Sequence, residues 1–193
     1  MRPKQISCDM HGRATEKGAL TMKTISNTDE VIGSRDIIER IDQLTGDFQD
    51  LVGAIESAET DAERETAFDE LATWLLGHTE ILPDLEALDS ITFDDVSDWA
   101  ESDDAHELKA LLALADEADC SPDWSYGETL IHEDYFTDYI EELINDCYEL
   151  PKGFNSGDWP WRHMTLDYEA AADEAKQDYM EVTFDGQTYY IRG

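Results

Sequence analysis

The groups in this chain that could do chemistry are overwhelmingly carboxylates, and two series of them carry a helical spacing. One is Asp94, Asp95, Asp98, Glu101, Asp104 and Glu107; the other is Asp134, Asp138, Glu141, Glu142 and Glu149. On a helix, residues three or four apart share a face, with Cβ atoms about 5–6 Å apart. Each series therefore predicts a negative stripe wherever its segment is helical. Like charges at that spacing oppose the helix by a few tenths of a kcal/mol per pair. A chain that repeats the arrangement bears a cost that asks for a use.

Three uses compete. Two carboxylates can act as general acid and base, as in glycoside hydrolysis, but such partners meet only in space. That reading would account for two of the 47 acids. Calcium takes several oxygen ligands, yet no stretch has the spacing of a calcium-binding loop. The third use is imitation of phosphate. Duplex DNA carries about one charge per 1.7 Å of axis, so the net charge of -34 matches at most about 58 Å of duplex, roughly 17 base pairs. A groove lined by Lys and Arg gains most of its non-specific affinity by releasing counterions from phosphates. Carboxylates fixed on a rigid scaffold can supply the same effect with no base sequence.

Other chemistry finds little support. No phosphate-binding loop, dinucleotide fingerprint or His-Glu-x-x-His occurs. Gly153-Phe-Asn-Ser-Gly157 resembles a nucleophile elbow, but its serine stands one place too late. His11, His78, His106, His132 and His163 are dispersed, with no pair at helical metal-ligand spacing. Cys8, Cys120 and Cys147 are odd in number and far apart, which argues against a disulfide framework and a zinc ribbon. Cys147 reads as a small packing residue and the other two as free thiols. The expectation is no catalytic residue, no metal, no cofactor and no enzyme.

Composition bounds the rest. Hydrophobic residues make up 41% and aromatics 10% of 193 residues, too much apolar surface for an acidic disordered chain. No apolar run approaches the roughly 18 residues needed to span a bilayer, and no apolar stretch of a secretory signal stands at the start. A cytoplasmic protein is expected. Self-repulsion at this charge costs stability and weakens contact with nucleic acid or anionic membrane. A basic partner, bound cations or a very salty cytoplasm must compensate. Residues 1–40 hold six acids and seven bases, so the acidity belongs to the body that follows.

The elements that must position these acids follow from periodicity. Residues 1–28 are polar and aperiodic, a flexible leader, or an upstream extension if Met22 is the natural start. Ser34 suits the N-cap of a helix with Ile37, Ile38, Ile41 and Leu44 inward and a stop at Gly46. A second stripe, Phe48, Leu51, Val52 and Ile55, follows. Thr60-Asp-Ala-Glu63 fits a capping box, opening a helix with Ala67, Phe68, Leu71, Trp74 and Leu75 inward and Gly77 at its end. Pro83 then interrupts the chain. Thr92 caps a short segment containing Phe93, Val96 and Trp99, and a helix over about 103–118 follows. Residues 119–127 read as a loop. The clearest helix covers about 133–148, with Tyr135, Phe136, Tyr139, Ile140, Leu143, Ile144 and Cys147 on one stripe. A loop over 149–164 precedes a helix capped by Asp167 and running to about Tyr179. Asp185-Gly186 between Glu181–Phe184 and Gln187–Ile191 predicts a hairpin with a type I′ turn.

Near the end of the chain stand Tyr135-Phe136-x-x-Tyr139-x-x-Glu142-Leu143, Leu150-Pro151, Leu166-Asp167-Tyr168-Glu169-Ala170-Ala171-Ala172, Asp178-Tyr179 and Tyr190-Ile191-Arg192. Over about residues 126–193 the chain resembles the ArdA-type antirestriction proteins, acidic products of plasmids and phages. The resemblance implies a DNA mimic that occupies the groove of a type I restriction-modification enzyme without turnover, acting in the host cytoplasm, and a homodimer.

The fold expected is α+β, mostly helical, with a C-terminal β-hairpin and an elongated acidic surface. It divides into a leader (1–28), a helical region (29–90) and an acidic α+β domain (91–193). The partner expected is a DNA-binding defence protein, a restriction-modification enzyme or a CRISPR effector, bound through the two acidic series; nucleic acid and membrane are not expected partners. The alternative is a halophile or regulatory module whose acids serve solvation.

Overall fold

A computed structural model of the chain describes residues 25–78 and 90–193. Its centre is a four-stranded antiparallel sheet in the order β1-β2-β4-β3. The strands are β1 (Val31–Gly33), β2 (Thr129–His132), β3 (Tyr179–Phe184) and β4 (Gln187–Arg192). The last two form the expected hairpin, in register Phe184↔Gln187 to Tyr179↔Arg192. Its turn needs positive φ at both central residues, and Asp185 (44°) and Gly186 (79°) supply it.

Side chains alternate across a strand, and here the alternation separates two cores. Leu130 and Ile131 on β2, and Tyr189 and Tyr190 on β4, point to opposite faces. One face is covered by α1 (Ser34–Ser57) and α4 (Asp103–Ala118) through Ile37, Leu44, Leu108, Leu111 and Leu114. The other is covered by α6 (Phe136–Cys147) and α7 (Tyr168–Ala175) through Phe136, Ile140 and Ala172. The architecture is thus a helix–sheet–helix sandwich, mostly helical. A third core joins the second half of α1, through Phe48 and Ile55, to Leu71 and Leu75 of α2 (Asp61–Leu76). The short α3 (Phe93–Val96) adds Val96 to it, and α5 (Trp124–Gly127) puts Trp124 against the sheet.

Several expectations need correction. The helix does not stop at Gly46: α1 runs unbroken for 24 residues, about 36 Å. A helical glycine costs about 1 kcal/mol relative to Ala, and burial of Leu44 on one side and Phe48 on the other outweighs it. Ser34 is the first helical residue rather than the cap; its buried hydroxyl donates to Trp124 O at 2.7 Å. Within the expected leader, residues 1–24 lie outside the described residues. Ile25 is already buried and Asn27 Nδ2 donates to Asp185 O at 3.1 Å, so 25–28 belong to the fold. Pro83 also lies outside the described residues. The division at residue 90 is not a division of cores, because Ile37 and Leu44 pack with Leu108–Leu114 and Tyr189. Residues 124–127 form a helical turn within the expected loop, and α7 ends at Ala175, followed by a 3-10 turn.

Local signals explain the remaining boundaries. Thr60 and Glu63 close their capping box, with Glu63 N to Thr60 Oγ1 at 3.2 Å and Thr60 N to Glu63 Oε2 at 3.0 Å. Gly77, at φ 77°, ends α2 by donating its amide to Thr73 O at 2.8 Å. Asp167 caps α7 through Ala170 N at 3.0 Å. No helix among the described residues is long and apolar enough to cross a membrane.

Candidate acidic interface

The first acidic series does not lie on one helix. Asp94 and Asp95 sit on the single turn of α3, and Asp98 on a 3-10 turn over Ser97–Trp99. The chain then turns, because the amides of Glu101 and Ser102 both donate to Leu75 O, at 2.9 and 2.8 Å, and Ser102 Oγ donates to Trp74 O. Asp104 and Glu107 belong to a separate helix, α4. This corrects the continuous stripe expected over 94–107. Spacing makes a face only where the helix is unbroken.

Half of that series is engaged within the fold. The Asp95 carboxylate accepts hydrogen bonds from the Thr92 hydroxyl and, at 3.0 Å, the Thr92 amide, which hold it below the usual carboxylate range. Glu107 forms a two-point pair with Arg40 of α1, at 2.6 Å (Nη2) and 3.1 Å (Nε), and both side chains are only 12% exposed. The same Arg40 Nη2 reaches Asp104 Oδ1 at 3.2 Å. The hydrogen bond with Glu107 leads in raising the Arg40 guanidinium above its ordinary value. These contacts tie α4 to α1. Asp94, Asp98 and Glu101 are exposed.

The second series is better formed. Asp138 and Glu142 point outward from α6, with Glu141 half-buried beside them, opposite the apolar stripe of Phe136, Ile140 and Leu143. Partial burial, then a hydrogen bond with Glu142, raises the Tyr135 phenol. Two members fall off the helix. Asp134 lies in a 3-10 turn before α6, 91% exposed and 3.9 Å from His132 Nδ1, and Glu149 follows the helix end.

Asp104 and Glu107 of the first series and the α6 acids of the second also lie on opposite layers of the sandwich, since α4 packs on one face of the sheet and α6 on the other. They do not form one ribbon. Acids beyond those singled out in the sequence extend both layers. On α1, Asp36, Glu39, Asp42, Asp47, Asp50 and Glu56 are exposed opposite Ile37, Leu44, Phe48 and Ile55. Asp36, Glu39 and Asp42 carry a spacing of three, as do Asp47 and Asp50, but ending the helix at Gly46 hid that the two runs share one helix. On α7, Glu169, Asp173 and Glu174 are exposed.

Magnitudes decide what one helix can do. Asp36 to Glu56 spans about 30 Å of helix, over which a duplex carries about 18 phosphate charges. The six carboxylates of α1 supply about a third of that. Only several helices together approach the density of DNA. Bases dilute the acids locally: Lys176 lies 3.7 Å from Asp173 and over the rings of Tyr190 and Phe136, at 5.2 and 5.8 Å.

Among the described residues no group of three or more His, Cys, Asp or Glu is placed to hold a metal ion. Cys120 is an exposed free thiol. Cys147, expected as a plain packing residue, is half-buried at the end of α6 and disulfide-bonded. Cys8 lies outside the described residues. No protein-family model, curated protein or solved structure matches this chain.

Proposed function

We propose that the protein is a DNA mimic that occupies the basic groove of a host defence enzyme, a type I restriction-modification complex first among them, and so keeps DNA out. It acts in the cytoplasm of the host, by occlusion and without turnover. The supporting observation is that exposed carboxylates on α1 and α6 stand on rigid, packed helices in both outer layers. A duplex is charged all round its axis, so an enzyme that encloses DNA meets phosphates on both sides. Acids on both layers suit such an enclosing groove better than a shallow one-sided one. The resemblance to ArdA-type proteins over 126–193 supports the choice of target and adds a homodimer to the proposal. A CRISPR effector offers the same basic groove and is the alternative target.

Two-sided acidity also favours a second reading, in which the acids serve solvation in a salty cytoplasm. The readings part in dilute buffer. A mimic folds there, whereas a salt-adapted protein needs molar salt to fold.

The test is displacement. Titrated into a type I methyltransferase holding labelled duplex, the protein should release the DNA at low salt, with an affinity that falls steeply as salt rises. DNA left bound at every protein concentration would remove this target.

A further inference from the structure

The 148–164 loop, between α6 and α7, differs from everything around it. Glu149 and Asp158 are balanced there by Lys152 and Arg162, in a protein of net charge -34. It also displays three of the five large apolar side chains exposed among the described residues: Trp159 is 74% exposed, Tyr148 56% and Met164 50%, the other two being Tyr126 on α5 and Val31 on β1. Contiguous exposed apolar surface marks interaction sites, and this one segment supplies three such side chains.

The loop holds its own shape. Phe154 N donates to Pro151 O, Arg162 N to Asp158 O and Met164 N to Trp161 O, at 2.8–2.9 Å. The Phe154 and Trp161 rings pack at 6.3 Å. Gly153, at φ 91°, lets Trp161 approach so closely that a Cβ would stand 3.1 Å from its Nε1. Trp161 is drawn in while Trp159 is turned out. Trp159 thus stands on a backbone already ordered at Asp158–Arg162 and Trp161–Met164, and tryptophan is among the residue types that dominate interfaces.

Resting on the mimicry reading, we propose that this loop is a second contact with the same enzyme, seated on an apolar surface beside its basic groove, with Trp159 as the anchor. Charge assigns the place. A Lys- and Arg-lined groove attracts the helices but gains nothing from a charge-balanced loop carrying Lys152 and Arg162. An apolar rim, with carboxylates to meet those two cations, fits it. The contact gives what carboxylates alone lack, discrimination between one basic groove and another.

The experiment compares the full chain with Trp159→Ala and Met164→Ser, on a type I methyltransferase and on poly-lysine, at low and moderate salt. Both side chains are at least half exposed, so melting curves should match the parent. Trp159→Ala should weaken methyltransferase binding about thirtyfold at either salt, a hot-spot loss of about 2 kcal/mol. Its poly-lysine binding should not change. Unaltered methyltransferase affinity, or equal loss on poly-lysine, overturns the anchor and leaves mimicry standing. A parent chain that binds the methyltransferase without displacing DNA, and loses that binding in Trp159→Ala, overturns mimicry and keeps the contact. No binding of the parent to the methyltransferase overturns both.

Discussion

The α6 acids and the 94–107 acids look alike in sequence and behave differently in the fold. On α6 an unbroken helix sets Asp138 and Glu142 outward, opposite Phe136 and Ile140, with Glu142 also accepting a hydrogen bond from the nearby Tyr135 hydroxyl. Over 94–107 the chain breaks at Ala100–Ser102, and Asp95, Asp104 and Glu107 become a cap and two partners of Arg40. A carboxylate that holds the fold together is not available to hold a partner. Counting acids therefore overstates the interface, and continuity and engagement decide which of them matter.

The largest difference between the two acidic regions is expected in binding. Asp138→Asn, Glu141→Gln and Glu142→Gln together should weaken the methyltransferase complex at low salt by about a hundredfold. This takes about 1 kcal/mol for each contact in a solvent-exposed groove. The melting temperature should hold or rise slightly as like charges are removed. Unchanged affinity would take α6 out of the interface.

Glu107→Gln should show the opposite pattern. It leaves Arg40 without its two-point partner at a site 12% exposed, between the surface and buried regimes, and should cost about 1–3 kcal/mol of stability. Affinity of the folded fraction should stay as it was. Denaturant titration beside binding separates the two effects, and a binding loss without a stability loss would return Glu107 to the interface.

A smaller effect tests the sheet that carries both layers. Burial, with the charge of Asp29 second, pushes the Tyr189 phenol up to about 12, and its hydroxyl donates to Asp29 O at 2.8 Å. The folded state thus favours the neutral phenol. Its contribution is complete below about pH 10 and fades as pH rises toward about 12. Tyr189→Phe should cost about 1 kcal/mol at neutral pH and remove this part of the alkaline loss. Denaturant unfolding of both proteins at pH 8 and pH 11 checks the sign.

The smallest effect tests the length of α1. A Cβ added at Gly46 meets nothing within 4 Å, so Gly46→Ala should stabilise the protein by about 0.5–1 kcal/mol. Destabilisation would mean that the chain turns at Gly46, and the six-acid face of α1 would be lost.

These cases also show what the sequence could tell. Thr60 with Glu63, Gly77, Asp167 and Asp185-Gly186 were legible because capping and turn chemistry is local, and α6 because its apolar stripe is nearly unbroken. The strands β1 and β2 were not, because three or four residues such as Val31–Gly33 carry no measurable alternation. The helix through Gly46 was hidden because packing at Leu44 and Phe48 overrode a local breaker. The first acidic series was misread for the reverse reason: its spacing continues through Ala100–Ser102 while its backbone turns there toward Leu75 O. Placement of the α4 and α6 acids on opposite layers depends on strand order, which no local pattern encodes.

Carboxyl footprinting of the methyltransferase complex reads directly which carboxylates touch the partner. With the enzyme bound, labelling of Asp138 and Glu142 on α6 and of Asp47 and Asp50 on α1 should fall sharply. The internally paired Glu107 should label weakly with or without it. Equal labelling of the helix acids in the free and bound protein would contradict the account.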